Sequence, residues 1–304
     1  MLLLFPIWIV LPGSLKTMLE RIDAHHHLWH YMKEEYTWIA EGMGVLARDF
    51  LPEDLRPELS VSGIQGSIAV QARQTLEETT WLLRLADEFD FIRGVVGWAP
   101  LAGPGFPAVI ERLQESEKLK GLRHVIQDEA DEDFMRRPDF NAGVALLKQY
   151  DLVYDILIFE RHLPAAISFV DRHPAQTFVL DHIAKPRIGD RELEPWRTNI
   201  GELARRENVY CKVSGMVTEA NWKNWSPADL QAYFDVVLQA FGPKRLMAGS
   251  DWPVCLLATS YQTWFSTVEQ FIRPLSIAER EMILGGVASE VYSLARGSSG
   301  IRKR

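Results

Sequence analysis

Only two cysteines, Cys211 and Cys255, occur in 304 residues. That is too few for a disulfide framework in a chain of this length, and neither stands in a CxxC or other metal-type spacing. Two buried free thiols in a reducing compartment, the cytoplasm, are the expectation. There is no basic excess either. With 33 Lys and Arg against 41 Asp and Glu, the formal net charge is −8. This disfavours a nucleic-acid partner and an anionic membrane surface, since both need a basic patch. The apolar run Leu2 to Leu11 is shorter than the roughly 20 residues that cross a bilayer, and no basic segment precedes it. It is therefore expected to be an appended N-terminal segment over residues 1–20, although an export signal fits the same residues. No Gly-rich phosphate turn follows the first strand-like stretch, which argues against a doubly wound nucleotide-binding sheet.

What is present is a large reservoir of core. Hydrophobic residues make up 47% and charged residues 24% of the chain, as in an ordinary globular domain. Short apolar runs recur at Arg21–His27, Gly66–Gln71, Ile92–Ala99, Leu119–Ile126, Val153–Phe159, Thr177–Asp181, Val209–Val213 and Leu246–Gly249. Segments with helical spacing separate them, at Leu76–Asp90, Pro107–Glu117, Phe140–Gln149, Leu163–Arg172, Pro195–Arg206 and Pro227–Phe241. Strands apolar on both faces that alternate with helices form a parallel sheet covered by helices. Eight such units predict a single-domain α/β fold, a (β/α)8 TIM barrel over residues 21–297, with a short basic tail at 298–304.

The chemistry lies at the ends of these runs. In Asp23-Ala24-His25-His26-His27-Leu28-Trp29-His30, strand alternation turns His25 and His27 to one face and His26 to the other. Two imidazoles on one strand face make a chelate, but the same run is equally compatible with a solvated polar loop. A barrel gathers the groups that follow its strands at one mouth. Here these are His25 and His27, Gln71, Trp98, Arg123 and His124, His182 and Lys185, Lys212 and Ser214, and Asp251. Closure of the last strand on the first sets Asp251 opposite His25 and His27.

Four motifs in this order, IDAHHHLW, VLDHIAKP (179–186), CKVSGM (211–216) and GSDWPV (249–254), resemble the amidohydrolase superfamily. Within it they resemble the sugar-acid lactonases related to L-fuconolactonase, L-rhamnonolactonase and pyrone-dicarboxylate lactonase. The resemblance spans about Arg21 to Tyr292. It implies that His25, His27 and Asp251 hold one divalent metal, Zn2+, with Asp251 and His182 as catalytic residues. Binuclear members need a lysine at the end of strand four, where this chain has Arg123-His124, so a second metal is not expected. Some relatives in this branch work without a metal, and the imidazoles would then donate directly to the carbonyl.

The function implied is opening of a small lactone of the L-fucono or L-rhamnono type, with Asp251 as general base and then acid. Arg123, Lys185, Lys212 and Gln71 would bind polar groups of the substrate, and Trp29 and Trp252 would offer flat faces to the ring. Internal ion pairing and core packing are the alternative readings of those side chains. A metal-dependent decarboxylase, another carboxylic-ester hydrolase and a barrel that binds a metabolite without turning it over remain open. Self-association is compatible with all of them.

Overall fold

The computed structural model describes residues 19–295. The expected extension, Leu19 and Glu20 apart, and the basic tail lie outside the described residues. Eight parallel strands run in sequential order: β1 (Ile22–His26), β2 (Gly66–Val70), β3 (Ile92–Gly97), β4 (Leu119–Val125), β5 (Val153–Leu157), β6 (Phe178–Leu180), β7 (Val209–Val213) and β8 (Leu246–Ala248). Each expected apolar run contains one of them. The helices α1 (Pro52–Val61), α2 (Leu76–Glu88), α3 (Phe106–Leu113), α4 (Pro138–Leu147), α5 (Leu163–Asp171), α6 (Trp196–Leu203), α7 (Pro227–Phe241) and α8 (Tyr261–Ile272) alternate with the strands, and α9 (Ile277–Glu281) and α10 (Val287–Val291) follow. The fold is the expected (β/α)8 barrel.

Local chemistry explains several boundaries. The α7 start at Pro227 follows Ser226, whose backbone N–H and hydroxyl both donate to Asp229 Oδ2, closing a capping box. Helices α1 and α8 lie outside the segments identified from periodicity. In α1 an internal Pro57 and a polar composition hide the apolar face. In α8 that face is regular, burying Tyr261, Trp264, Phe265, Val268, Phe271 and Ile272.

The barrel interior is layered. Ile22, Ala24, Ile68, Val70, Val96, Val153, Val179 and Met247 form an apolar plug with Val287, Ala288 and Tyr292 from the C-terminal helix. Ala24 therefore faces inward, yet so does His25, its neighbour, whose ring meets Lys212 and Asp181. Strict alternation forbids this. The β1–β2 register shifts between Asp23 and His26, and an irregularity of this kind re-aims the side chains beyond it. His25 and His27 do share a face as expected, but on a strand that has changed phase.

Closure of β8 on β1 is built around Asp23. Its buried carboxylate accepts from Ser250 N–H (2.8 Å), Ser250 Oγ (2.6 Å), Tyr261 OH (3.0 Å) and His25 N–H (3.1 Å). Backbone bonds continue the seam, from Asp251 N–H to His25 O at 2.8 Å and from His27 N–H to Trp252 O at 2.6 Å. A Cβ on Gly249 would lie 2.8 Å from His25 Cβ, so only glycine permits this approach. Replacing Asp23 by alanine orphans three buried donors, Ser250 Oγ keeping His25 O as an acceptor, and should cost about 3–5 kcal/mol, whereas Tyr261→Phe should cost about 1–2 kcal/mol. Urea denaturation of the two variants beside the parent checks the ranking.

Candidate active site

At the carboxyl end of the barrel three imidazoles surround one carboxylate oxygen. Asp251 Oδ1 lies 3.4 Å from His27 Nε2, 3.9 Å from His25 Nε2 and 3.9 Å from His182 Nε2. The two Nε2 atoms of His25 and His27 are 3.2 Å apart. Donors held at about 2.0–2.1 Å around a tetrahedral ion stand roughly 3.2–3.5 Å from one another, so His25, His27 and Asp251 fit such an ion with small adjustments. The second nitrogen of His27 is engaged, its Nδ1 lying 2.8 Å from Val70 O, which makes Nδ1 the donor and leaves Nε2 a lone pair facing the cluster. His26 points elsewhere. Its ring is buried with neither nitrogen hydrogen-bonded.

Strained backbone presents two of these groups. Residues His182, Ile183, Ala184 and Lys185 are all left-handed, with φ of 52°, 50°, 61° and 48°, and Asp251 has φ 56°. Each non-glycine residue in this region costs on the order of 1–2 kcal/mol. Such strain persists where surrounding contacts over-determine the turn. Here Ile183 and Ala184 are fully buried, Trp196 Nε1 donates to Ile183 O at 2.8 Å, and His182 Nδ1 meets Ser214 Oγ at 2.9 Å.

Burial and charge set the protonation states. Burial would raise the Asp251 carboxyl, but His182, His27 and Lys185 outweigh it and hold the group below its ordinary range, hence ionised. Burial pushes His182 down to about 4 and His25 well below its usual value. Both rings are neutral near pH 7 and offer lone pairs or N–H groups. Beneath His25 lies a charged layer in which Arg123 and Lys212 take the ion-paired alternative, with Asp155 and Asp181 as partners. Lys212 Nζ is 2.5 Å from Asp155 Oδ2 and 3.0 Å from Asp181 Oδ1, Arg123 Nη1 is 2.9 Å from Asp181 Oδ2, and Tyr292 OH reaches both Asp155 oxygens at 2.8 and 2.9 Å. Two cations thus balance two anions out of water.

Above the cluster opens a cavity lined by His27, His182, Asp251, Arg123 and Lys185, together with Trp38, Ala72, Val125, Gln127, Asp128, Leu157 and Val254. Four residues expected to meet the substrate do not line it. Lys212 is fully buried in its ion pairs. Gln71 is buried with Nε2 3.5 Å from Arg123 O. Trp29 is walled off behind Trp38, packed on Tyr36 and Phe50 with Nε1 donating to Arg48 O. Trp252 packs edge-on against Phe50. Large aromatics and a long cation beside a strand end went to the core here, which is the commoner fate. Arg123 does line the cavity, but its guanidinium is turned down toward Asp181 and Gln71 O.

Trp38, in a turn, and Gln127 and Asp128, in a short 3-10 turn directly after β4, carry no periodic pattern that marks them from sequence. Asp155 and Asp181 do carry a signal in the sequence, a lone carboxylate inside or ending an otherwise apolar run. Among the described residues no helix is long and apolar enough to cross a membrane.

Comparison with known proteins agrees with this geometry. A family model described as amidohydrolase matches residues 22–294. An L-fucono-1,5-lactonase of Burkholderia multivorans is 47% identical over 287 residues, 90% of this chain and 96% of its own. Another of that name from Burkholderia ambifaria is 38% identical over 91% of this chain and 97% of its own. A crystal structure of an amidohydrolase from Burkholderia multivorans with bound zinc superimposes with a TM-score of 0.87 at 46% identity, covering 91% of this chain and all of that one.

The placement of His182 depends on Gly215, which has φ +62° and no room for a side chain, since a Cβ there would lie 2.7 Å from His182 Cγ and Nδ1. Gly215→Ala should cost about 1–2 kcal/mol and swing the His182 ring away from Asp251. Its 15N imidazole resonances, compared with those of the parent, check the displacement.

Proposed function

The chain belongs to the amidohydrolase family, and from that premise we propose that it is a hydrolase that opens a small sugar-acid lactone of the L-fucono-1,5-lactone type. The observation that carries this reading is the convergence of His25, His27 and His182 on ionised Asp251 at the floor of an open cavity. The 47% and 38% identical lactonases supply the substrate class.

A lactone carbonyl is a modest electrophile. Its hydrolysis needs a polarised oxygen, a deprotonated water and a proton for the departing alkoxide. A divalent ion, zinc by analogy with the zinc-bound structure, would be held by His25, His27 and Asp251 and would supply Lewis acidity and a more acidic water. Asp251 takes a proton from the attacking water. It returns that proton to the ring oxygen as the acyl C–O bond breaks, leaving a carboxylic acid and a free hydroxyl.

His182, neutral and anchored through Ser214, donates from its Nε2 to the oxyanion that forms as water adds. Lys185 at the rim attracts the nascent carboxylate, and Gln127, whose Oε1 is buried without a partner, accepts from a sugar hydroxyl. Leu157, Val125 and Val254 give the apolar wall against which the less polar ring face lies. Of the six residues expected at the substrate, Arg123 and Lys185 keep that role. Trp38 takes the one assigned to Trp29 and Trp252. The free, buried state of Cys211 and Cys255 supports a cytoplasmic site of action.

A panel of aldonolactones followed with a pH indicator tests the proposal. The parent should open an L-fucono-1,5-lactone with a kcat/KM at least about 100-fold above that of Asp251→Asn, as loss of a general base requires. Removal of metal by a chelator should lower the parent rate, and zinc should restore it. If no lactone is opened faster by the parent than by Asp251→Asn, the reading is wrong.

A further inference from the structure

His25 has two competing partners at Nδ1. Lys212 Nζ lies 3.2 Å away and Asp181 Oδ1 lies 3.4 Å away. One is a donor and the other an acceptor, and a neutral imidazole nitrogen satisfies one of them at a time. The choice propagates to the cavity, because the proton absent from Nδ1 is carried by Nε2.

We propose that Lys212 and Asp181 act as opposed positioning residues that decide whether His25 Nε2 presents an N–H or a lone pair to the site. The inference rests on the reading of this cluster as one that holds a cation, and deepens it. In one arrangement Lys212 donates to Nδ1, His25 Nε2–H donates to His27 Nε2 at 3.2 Å, and His27 Nδ1–H donates to Val70 O at 2.8 Å. Every donor in that chain has an acceptor. The three ammonium hydrogens of Lys212 then face Asp155, Asp181 and Nδ1.

In the other arrangement the imidazole proton sits on Nδ1 and points to Asp181 Oδ1, which also lies 3.0 Å from Lys212 Nζ. His25 Nε2 then turns a lone pair toward that of His27 across 3.2 Å, a repulsion that Arg123 Nη1, 3.4 Å from His25 Nε2, offsets in part and that a cation between the rings removes. No proton is gained or lost between the arrangements, since it moves from one ring nitrogen to the other. The second leaves an ammonium hydrogen facing an N–H. Lys212 therefore opposes uptake of a cation and Asp181 favours it. Lys212 cannot easily swing aside, for Asp155 holds it and Tyr292 OH holds both Asp155 oxygens.

This makes an unusual prediction of sign. The charge-balanced pair Lys212→Met with Asp155→Asn removes the opposing donor, and zinc affinity measured by calorimetry should rise about tenfold or more. Asp181→Asn should lower it by about 10- to 100-fold, as loss of a partner to a metal-bound histidine does. If Lys212 is merely structural, the double variant will weaken zinc binding as well, and that result overturns the proposal.

A measurement on the parent needs no substitution and covers a variant that fails to fold. The 15N shifts of His25 should report Nε2–H in zinc-free protein and Nδ1–H in zinc-saturated protein. Nδ1–H in both would overturn the proposal. None of these readouts involves a lactone, so a lactone panel without turnover would sink the functional reading and leave this one to stand or fall by itself.

Discussion

The seam between β8 and β1 is the constraint from which the site follows. Asp23 gathers four hydrogen bonds, two of them from Ser250, and the candidate site residues follow closely along each strand: His25 lies two positions beyond Asp23, and Asp251 one beyond Ser250. A barrel must close for its polar backbone to be satisfied. In this chain the bonds that satisfy it are the same ones that bring a carboxylate to two histidines 224 and 226 residues away in sequence. Stability and site geometry are thus coupled at one place. Burial lifts the Asp23 carboxyl to about 6 despite its hydrogen bonds, so the clasp retains its charge at neutral pH at some cost to stability.

Below the seam the interior changes character over a short distance. An apolar plug closes the bottom, a charge-balanced layer of Arg123, Asp155, Asp181 and Lys212 lies over it, and the histidines with Asp251 form the top. Replacing a buried ion network by apolar side chains often stabilises a fold. Its presence directly beneath His25 is explained by what it does there, presenting both a donor and an acceptor to the one ring nitrogen that does not face the cavity. The layer gives the site a rigid electrostatic floor, while the left-handed turn His182–Lys185 and the loops carrying Trp38 and Gln127 supply the walls.

Much of this was legible in the sequence, and the limits are physical. The eight strands could be read because parallel strands buried on both faces are continuous apolar runs. His25, His27, His182 and Asp251 could be read because each ends such a run in a barrel that gathers strand ends. Period-two alternation gave the right pair of histidines, though the shift in register that lets Ala24 and His25 both face inward leaves no mark in composition. Lys212, Gln71, Trp29 and Trp252 are buried away from the cavity for a common reason: position after a strand says that a side chain is near the mouth, but not whether it points up to solvent or down to a buried partner. That depends on counter-charges such as Asp155 and on neighbours such as Phe50, which come from distant parts of the chain. Loop residues such as Trp38 and Asp128 carry no periodic signal at all.

Strand closure builds a lactone-opening centre around Asp251, and a crystal structure with L-fuconate, the ring-opened acid, is the sharpest check of that. The expected pose has the carboxylate of the acid beside His182 and Lys185 over Asp251, with its hydroxyls reaching toward Gln127 under Trp38. An acid bound away from this cavity, or a cavity that excludes it at saturating concentration, would contradict the claim.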